Sequence, residues 1–119
     1  MQIGKYLKER MGSFKFAFLG LKLLMYEANF RIHVIAFILV IALSFYFKIS
    51  NQEWLFILVS SFLVLICEAI NTAIEKTMDF ISVEKNNFIA NIKDISAAFV
   101  LISAVNAIVV AAIIFIPKL

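Results

Sequence analysis

The chain has 119 residues, 64% of them hydrophobic and only 16% charged, with a mean hydropathy of +1.01 and a formal net charge of +3. That length holds one domain rather than two, and that apolarity excludes a water-soluble globule and points to an integral membrane protein. The basic residues are not interleaved with base-stacking aromatics, so no nucleic acid is expected as a partner and the anionic headgroup layer of a membrane is.

Residues 5–27 mix Lys5, Lys8, Arg10, Lys15 and Lys22 with Phe14, Phe16, Phe18, Leu19, Leu23 and Leu24. The apolar residues recur at spacings near three and four, and no stretch long enough to cross a bilayer is free of charge. This pattern predicts an amphipathic helix lying in the membrane interface. No small-residue cleavage pattern follows a short apolar core, so the segment does not read as a cleavable signal.

Residues 32–48 form the first predicted span, and Lys48, Ser50, Asn51, Gln52 and Glu53 supply a short polar turn. The second span covers 54–75, opening on Trp54, which with Tyr46 sits where interfacial aromatics belong. Residues 80–93 read as a polar connection. The third span covers 95–117, interrupted by Asn106 and stopped by Pro117 and Lys118. About 22 helical residues reach about 33 Å, enough for the hydrocarbon core of a bilayer. The expected architecture is all-α, with three transmembrane helices and one surface helix in a single domain over 1–119.

Orientation follows from Lys and Arg. Lys5, Lys8, Arg10, Lys15, Lys22, Arg31, Lys76, Lys85 and Lys93 fall on one side, against Lys48 and Lys118 on the other. This bias puts the N-terminus and the 75–94 loop in the cytoplasm.

The most informative stretch is 68–79, Glu68-Ala-Ile-Asn71-Thr-Ala-Ile-Glu75-Lys-Thr-Met-Asp79. On a helix, Glu68, Asn71, Thr72, Glu75 and Asp79 share an arc of roughly 100°. Acids at the end of an apolar run are costly, and they usually face a bundle interior or a functional cavity. The antiparallel order of the spans brings Glu27, Glu75 and Lys93-Asp94 to a similar depth. Carboxylates with a carboxamide suit a hard cation such as Mg²⁺ that keeps some of its water, and a lysine suits phosphate oxygens. Glu68 lies deeper, beside lipid, where a carboxylate is suited to take a proton from a lipid hydroxyl. These are parts that phosphoryl transfer needs. The same acids equally suit a non-enzymatic oligomer conducting protons or cations. The only glycines are Gly4, Gly12 and Gly20, so neither common glycine-rich phosphate loop is present. Cys67 is single, which excludes an internal disulfide. His33 reads as structural, and Asn106 as a bond to another helix or subunit.

Three motifs share a family resemblance. Glu68-Ala-Ile-Asn71-Thr-Ala-Ile-Glu75, then Asp79, then Lys93-Asp94-Ile-Ser-Ala-Ala, resembles the bacterial membrane diacylglycerol kinase family. Glu27-Ala-Asn29-Phe30-Arg31-Ile-His33 resembles its undecaprenol kinase branch. The resemblance implies a homotrimer in the bacterial cytoplasmic membrane, with active sites shared between subunits. It implies transfer of the γ-phosphate of MgATP to a lipid alcohol, undecaprenol or diacylglycerol. Glu68 is then implied as catalytic base, and Glu27 and Glu75 as metal ligands. Asn71, Glu75, Lys93 and Asp94 are implied at the nucleotide, with Glu84, Lys85 and Asn86 in a nucleotide-proximal loop. Arg10 or Lys15 of the surface helix is implied near ATP.

Overall fold

A computed structural model describes residues 2–84 and 86–119. It contains four α-helices, α1 (Gln2–Met25), α2 (Ala28–Tyr46), α3 (Asn51–Ile81) and α4 (Asn87–Phe115), followed by a 3₁₀ turn over Ile116–Lys118. The helices α2, α3 and α4 with its 3₁₀ extension are each long and apolar enough to cross a membrane. The molecule measures 52 × 48 × 20 Å. The short dimension is about two helix diameters, so a single chain is a slab.

The bundle is built on the antiparallel pair α3–α4, with α2 packed on α3. α1 meets the bundle mainly at its junction with α2, and none of its residues is buried. Its Phe14, Phe16, Phe18, Leu19, Leu21 and Leu23 are exposed beside its lysines, as suits a helix whose apolar side is covered by lipid rather than protein.

Each connection has a local cause. The α1–α2 turn is held by the Arg31 guanidinium, whose Nη1 donates to the Met25 carbonyl at 2.9 Å. The α2–α3 turn uses Lys48 at φ 50°, a left-handed conformation that reverses the chain after α2. A capping box then starts α3. Glu53 N–H donates to Ser50 Oγ at 3.1 Å, and Ser50 N–H donates to Glu53 Oε1 at 2.9 Å. This box begins the helix at Asn51, before the apolar run at Trp54. Asn86 caps α4 by accepting from Phe88 N–H at 2.8 Å, so half of the polar stretch 80–93 is already helical. The helices thus overrun the apolar spans at several ends, because capping and hydrogen bonding end a helix and the bilayer edge does not.

The apolar core of one chain is small. It comprises Ile49, Ile57, Ile114 and Phe115, flanked by Val40, Ile41, Phe47, Trp54, Val110 and Ala111. It lies at the end of the bundle where α2 turns into α3 and α4 finishes. Beyond it, Lys118 Nζ donates to Glu53 Oε2 at 2.9 Å. Along the rest of the seam the buried positions are mainly small or polar: Ser60, Val64, Glu68, Asn71, Thr72, Ser96 and Ser103. Small residues let membrane helices approach closely. Asn106, midway along α4, is exposed in the single chain.

Candidate functional site

The opposite end of the bundle gathers the acids. α3 presents Glu68, Asn71 and Thr72 inward along one face, and all three are buried. Farther along the same helix Glu75 and Asp79 emerge into the open. The face expected from the sequence therefore exists, and it runs from a buried end to an exposed end.

Glu68 is 3% exposed. Its Oε2 lies 3.6 Å from His33 Nε2 on α2, an ion-pair distance too long for a hydrogen bond. The titratable side chains around it are His33, Glu75 and Glu27. One turn along, the Asn71 Nδ2 donates to Glu75 Oε1 at 3.3 Å, an i,i+4 pair on the helix surface. The Asn71 Oδ1 accepts from Ser96 Oγ of α4 at 2.6 Å. Glu27, the residue before α2, does not cap that helix with its side chain. Its Oε1 is held instead by Lys76 Nζ of α3 at 3.0 Å. Lys93 of α4 pairs with Asp79 of α3.

Two cavities flank this ladder. One, of about 550 Å³, lies between α1 and α3, lined by Gly20, Leu24, Glu27, Ala69, Thr72 and Lys76 among others. It is mostly apolar, with the Glu27–Lys76 pair at its polar edge. The other, of about 380 Å³, sits over the α3–α4 turn and is lined by Asp79, Ser82, Glu84, Asn86, Asn87 and Lys93 among others. A third, of about 80 Å³, lies beside His33 between α2, α3 and α4, against Ala36, Phe37, Ser61, Val64 and Ala107 among others.

The predicted residues separate accordingly. Glu68, Glu27 and Glu75 are electrostatic neighbours, and Asn71 is bonded directly to Glu75. Lys93, Glu84 and Asn86 share the cavity at the turn. Asp94 is exposed two turns into α4 and makes no ion pair among the described residues. Arg10 is not brought to the acids within one chain: its guanidinium lies over the Tyr6 ring, one turn earlier on α1, with 5.1 Å to the centroid. Lys85 lies outside the described residues.

For Mg²⁺, the carboxylates of Glu27 and Glu75 are hard oxygen donors and fit it in kind, while the Asn71 oxygen is taken by Ser96. Among the described residues no group of three or more His, Cys, Asp or Glu side chains converges as a ready-made metal site within one chain. Two carboxylates leave the remaining positions to water and to phosphate oxygens, the usual sharing for Mg²⁺.

Four partners were not legible as such in the sequence: His33 beside Glu68, Lys76 on Glu27, Asp79 on Lys93 and Ser96 on Asn71. Each lies on a different helix, or on the far side of a turn, from the residue it meets. The one available signal was a polar residue inside an apolar run, as with Ser96 two residues after Asp94.

Comparison with known proteins gives a consistent picture. Residues 15–115 match the family described as prokaryotic diacylglycerol kinase. The chain is similar to the undecaprenol kinase of Bacillus subtilis (strain 168), 35% identical over 95 residues, covering 78% of this chain and 76% of that protein. It is also similar to the diacylglycerol kinase of Pseudomonas aeruginosa, 35% identical over 72 residues, covering 60% of this chain and 58% of that protein.

Proposed function

Because the chain belongs to the prokaryotic diacylglycerol kinase family, we propose that it is a lipid kinase that moves the γ-phosphate of ATP onto the hydroxyl of a membrane lipid alcohol. The observation that carries this reading is the graded face of α3. A buried carboxylate at Glu68 is followed, along one helix, by Asn71 and Glu75 and by the exposed polar turn. Such a face joins a lipid-side proton acceptor to a water-side phosphate site.

In the proposed reaction the lipid hydroxyl gives its proton to the Glu68 carboxylate as its oxygen bonds to the γ-phosphorus. The bond from that phosphorus to the β,γ-bridging oxygen breaks, and ADP leaves. Glu27 and Glu75 would hold Mg²⁺, with Lys76 giving up Glu27 to the cation. When bound, the ion neutralises charge on the phosphates. Lys93 and Asp94 serve the nucleotide from two turns into α4, with Lys93 supplying a positive charge within reach of the cavity at the turn. Glu84, Lys85 and Asn86 serve the same nucleotide.

Undecaprenol is the favoured acceptor, with diacylglycerol second. The Asn29-to-His33 stretch favours it, and the longer of the two alignments is to a protein named undecaprenol kinase. The working assembly is a homotrimer in the bacterial cytoplasmic membrane. An exposed Asn106 at the depth of the lipid tails supports oligomerisation, since a polar residue there needs a partner. Arg10 is brought to ATP only across subunits or by movement of α1. The basic residues put the N-terminus and the α3–α4 turn on the cytoplasmic side.

The test is ATP turnover by purified protein in lipid, with and without Mg²⁺, against a panel including undecaprenol and diacylglycerol. Mg²⁺-dependent phosphorylation, faster with undecaprenol, is expected. Acid-dependent ion flux without ATP consumption would overturn the kinase reading. Labelling of Asn86→Cys in a Cys67→Ser background from outside intact cells would overturn the orientation.

A further inference from the structure

Four serines are almost wholly buried in the bundle: Ser44, Ser60, Ser96 and Ser103. Three of them behave as small packing residues. Ser44 donates to the Val40 carbonyl, Ser60 to that of Ile57 and Ser103 to that of Val100, each within its own helix. Ser96 alone among them also reaches another helix, where its Oγ lies 2.6 Å from Asn71 Oδ1. Its own-helix acceptor, the Lys93 carbonyl, is farther, at 2.9 Å. The hydroxyl has one hydrogen, and the shorter contact takes the larger share of it.

We infer that Ser96 is a positioning residue that fixes the orientation of the Asn71 carboxamide and, through it, of the Glu75 carboxylate. The carboxamide can be turned in two ways, and the geometry selects one. A separation of 2.6 Å suits an O–H donor to a carbonyl oxygen and is short for an N–H donor. With Oδ1 on Ser96, the amide N–H points to Glu75 Oε1, 3.3 Å away. Turned over, the amide would set its oxygen against the carboxylate oxygen with no hydrogen between them. The hydroxyl of α4 therefore decides which end of Asn71 meets Glu75. Asn71 in turn occupies one oxygen of Glu75 and leaves the other for a cation. The chain of contacts starts at Ser96, which is 1% exposed and so is itself held by close packing. Ser96 touches neither nucleotide nor lipid in this scheme.

The inference rests on the reading of Glu75 as a metal ligand, and its test uses a readout separate from turnover. Ser96→Ala and Ser103→Ala are compared with the parent protein in lipid. Both remove a buried hydroxyl from α4, but only the first removes a bond between helices. Mn²⁺ affinity is measured by electron paramagnetic resonance in the presence of a non-hydrolysable ATP analogue, and turnover is measured as a function of Mg²⁺. Ser96→Ala is expected to weaken Mn²⁺ binding about three- to tenfold and to raise the Mg²⁺ needed for half-maximal turnover by a similar factor. Ser103→Ala is expected to match the parent in both. In an Asn71→Ala background, Ser96→Ala is expected to add nothing, because the two act through one contact. Equal Mn²⁺ affinity in Ser96→Ala and the parent would overturn the inference, as would full additivity with Asn71→Ala. If the parent phosphorylates no lipid alcohol, the kinase reading falls, while the Mn²⁺ comparison still decides the role of Ser96.

Discussion

The two ends of the α3–α4 seam are built from opposite materials. At one end Ile49, Ile57, Ile114 and Phe115 close on one another, with the Lys118–Glu53 pair beyond them. At the other, Glu68, Asn71, Thr72 and Ser96 are buried, and Glu75, Asp79 and Lys93 lead outward from them. In lipid an apolar contact between helices gains from close packing rather than from escape from water, whereas a buried polar group must find a partner inside the protein. The apolar end can therefore be altered at a cost to stability alone. The polar end couples every change to the bonds of its neighbours. Apolar packing and polar bonding are kept apart along one pair of helices.

Substitutions at the two ends should separate these roles, and the largest effect is expected at the buried carboxylate. Glu68→Gln keeps the shape of the side chain but cannot take a proton. Turnover is expected to fall by at least about two orders of magnitude, within the range for loss of a general base, with nucleotide affinity near normal. Affinity, assembly and turnover measured on one preparation check this. A well-assembled variant within a few-fold of the parent would remove Glu68 from the base role and make the polar end merely structural.

A smaller loss is expected from Glu75→Gln. About tenfold or more of the activity at ordinary Mg²⁺ should disappear, following the loss of a charge-assisted contact to the cation, and raised Mg²⁺ should restore part of it. An Mg²⁺ titration of both proteins reads the shift, and coincident curves would exclude Glu75 as a ligand.

The smallest functional effect belongs to the apolar end. Ile57→Ala opens a cavity beneath a residue that is 1% exposed. A stability loss of about 2 kcal/mol is expected, at the low end for a buried isoleucine because lipid removes most of the water-transfer contribution. Turnover per folded molecule should hold. Thermal unfolding in detergent and turnover at low temperature test both halves, and lost turnover without lost stability would mean that the two ends communicate.

Much of this contrast was legible in the sequence because it depends on one helix at a time. The 3.6-residue period places Glu68, Asn71, Thr72, Glu75 and Asp79 on a common face whatever packs against them. The three apolar runs give the spans by length. Residues 48–53 read as a polar turn, but the Ser50–Glu53 capping box starts α3 inside it, at Asn51. What the sequence could not display is how one helix is rotated about its axis relative to the next. Ser96 meets Asn71, Lys76 meets Glu27 and His33 meets Glu68 only once that rotation is fixed. His33 was therefore read as structural. The sequence likewise places Arg10 on α1 but says nothing of what α1 approaches.

The length of α3 has a geometric consequence. Its 31 residues measure about 46 Å along the axis, against about 30 Å for the hydrocarbon core of a bilayer. The surplus makes the helix a ruler that begins at the polar turn after α2, passes through the apolar layer and continues beyond it. Glu68 and Asp79 are graduations on it, about 16 Å apart by the rise per residue. A reaction joining a donor dissolved in one phase to an acceptor dissolved in the other needs that spacing held constant, and a continuous helix holds it without any moving part. One residue inserted between Glu68 and Glu75 would lengthen the ruler by only about 1.5 Å but turn its upper marks by about 100°, so angular registry limits this device more tightly than distance.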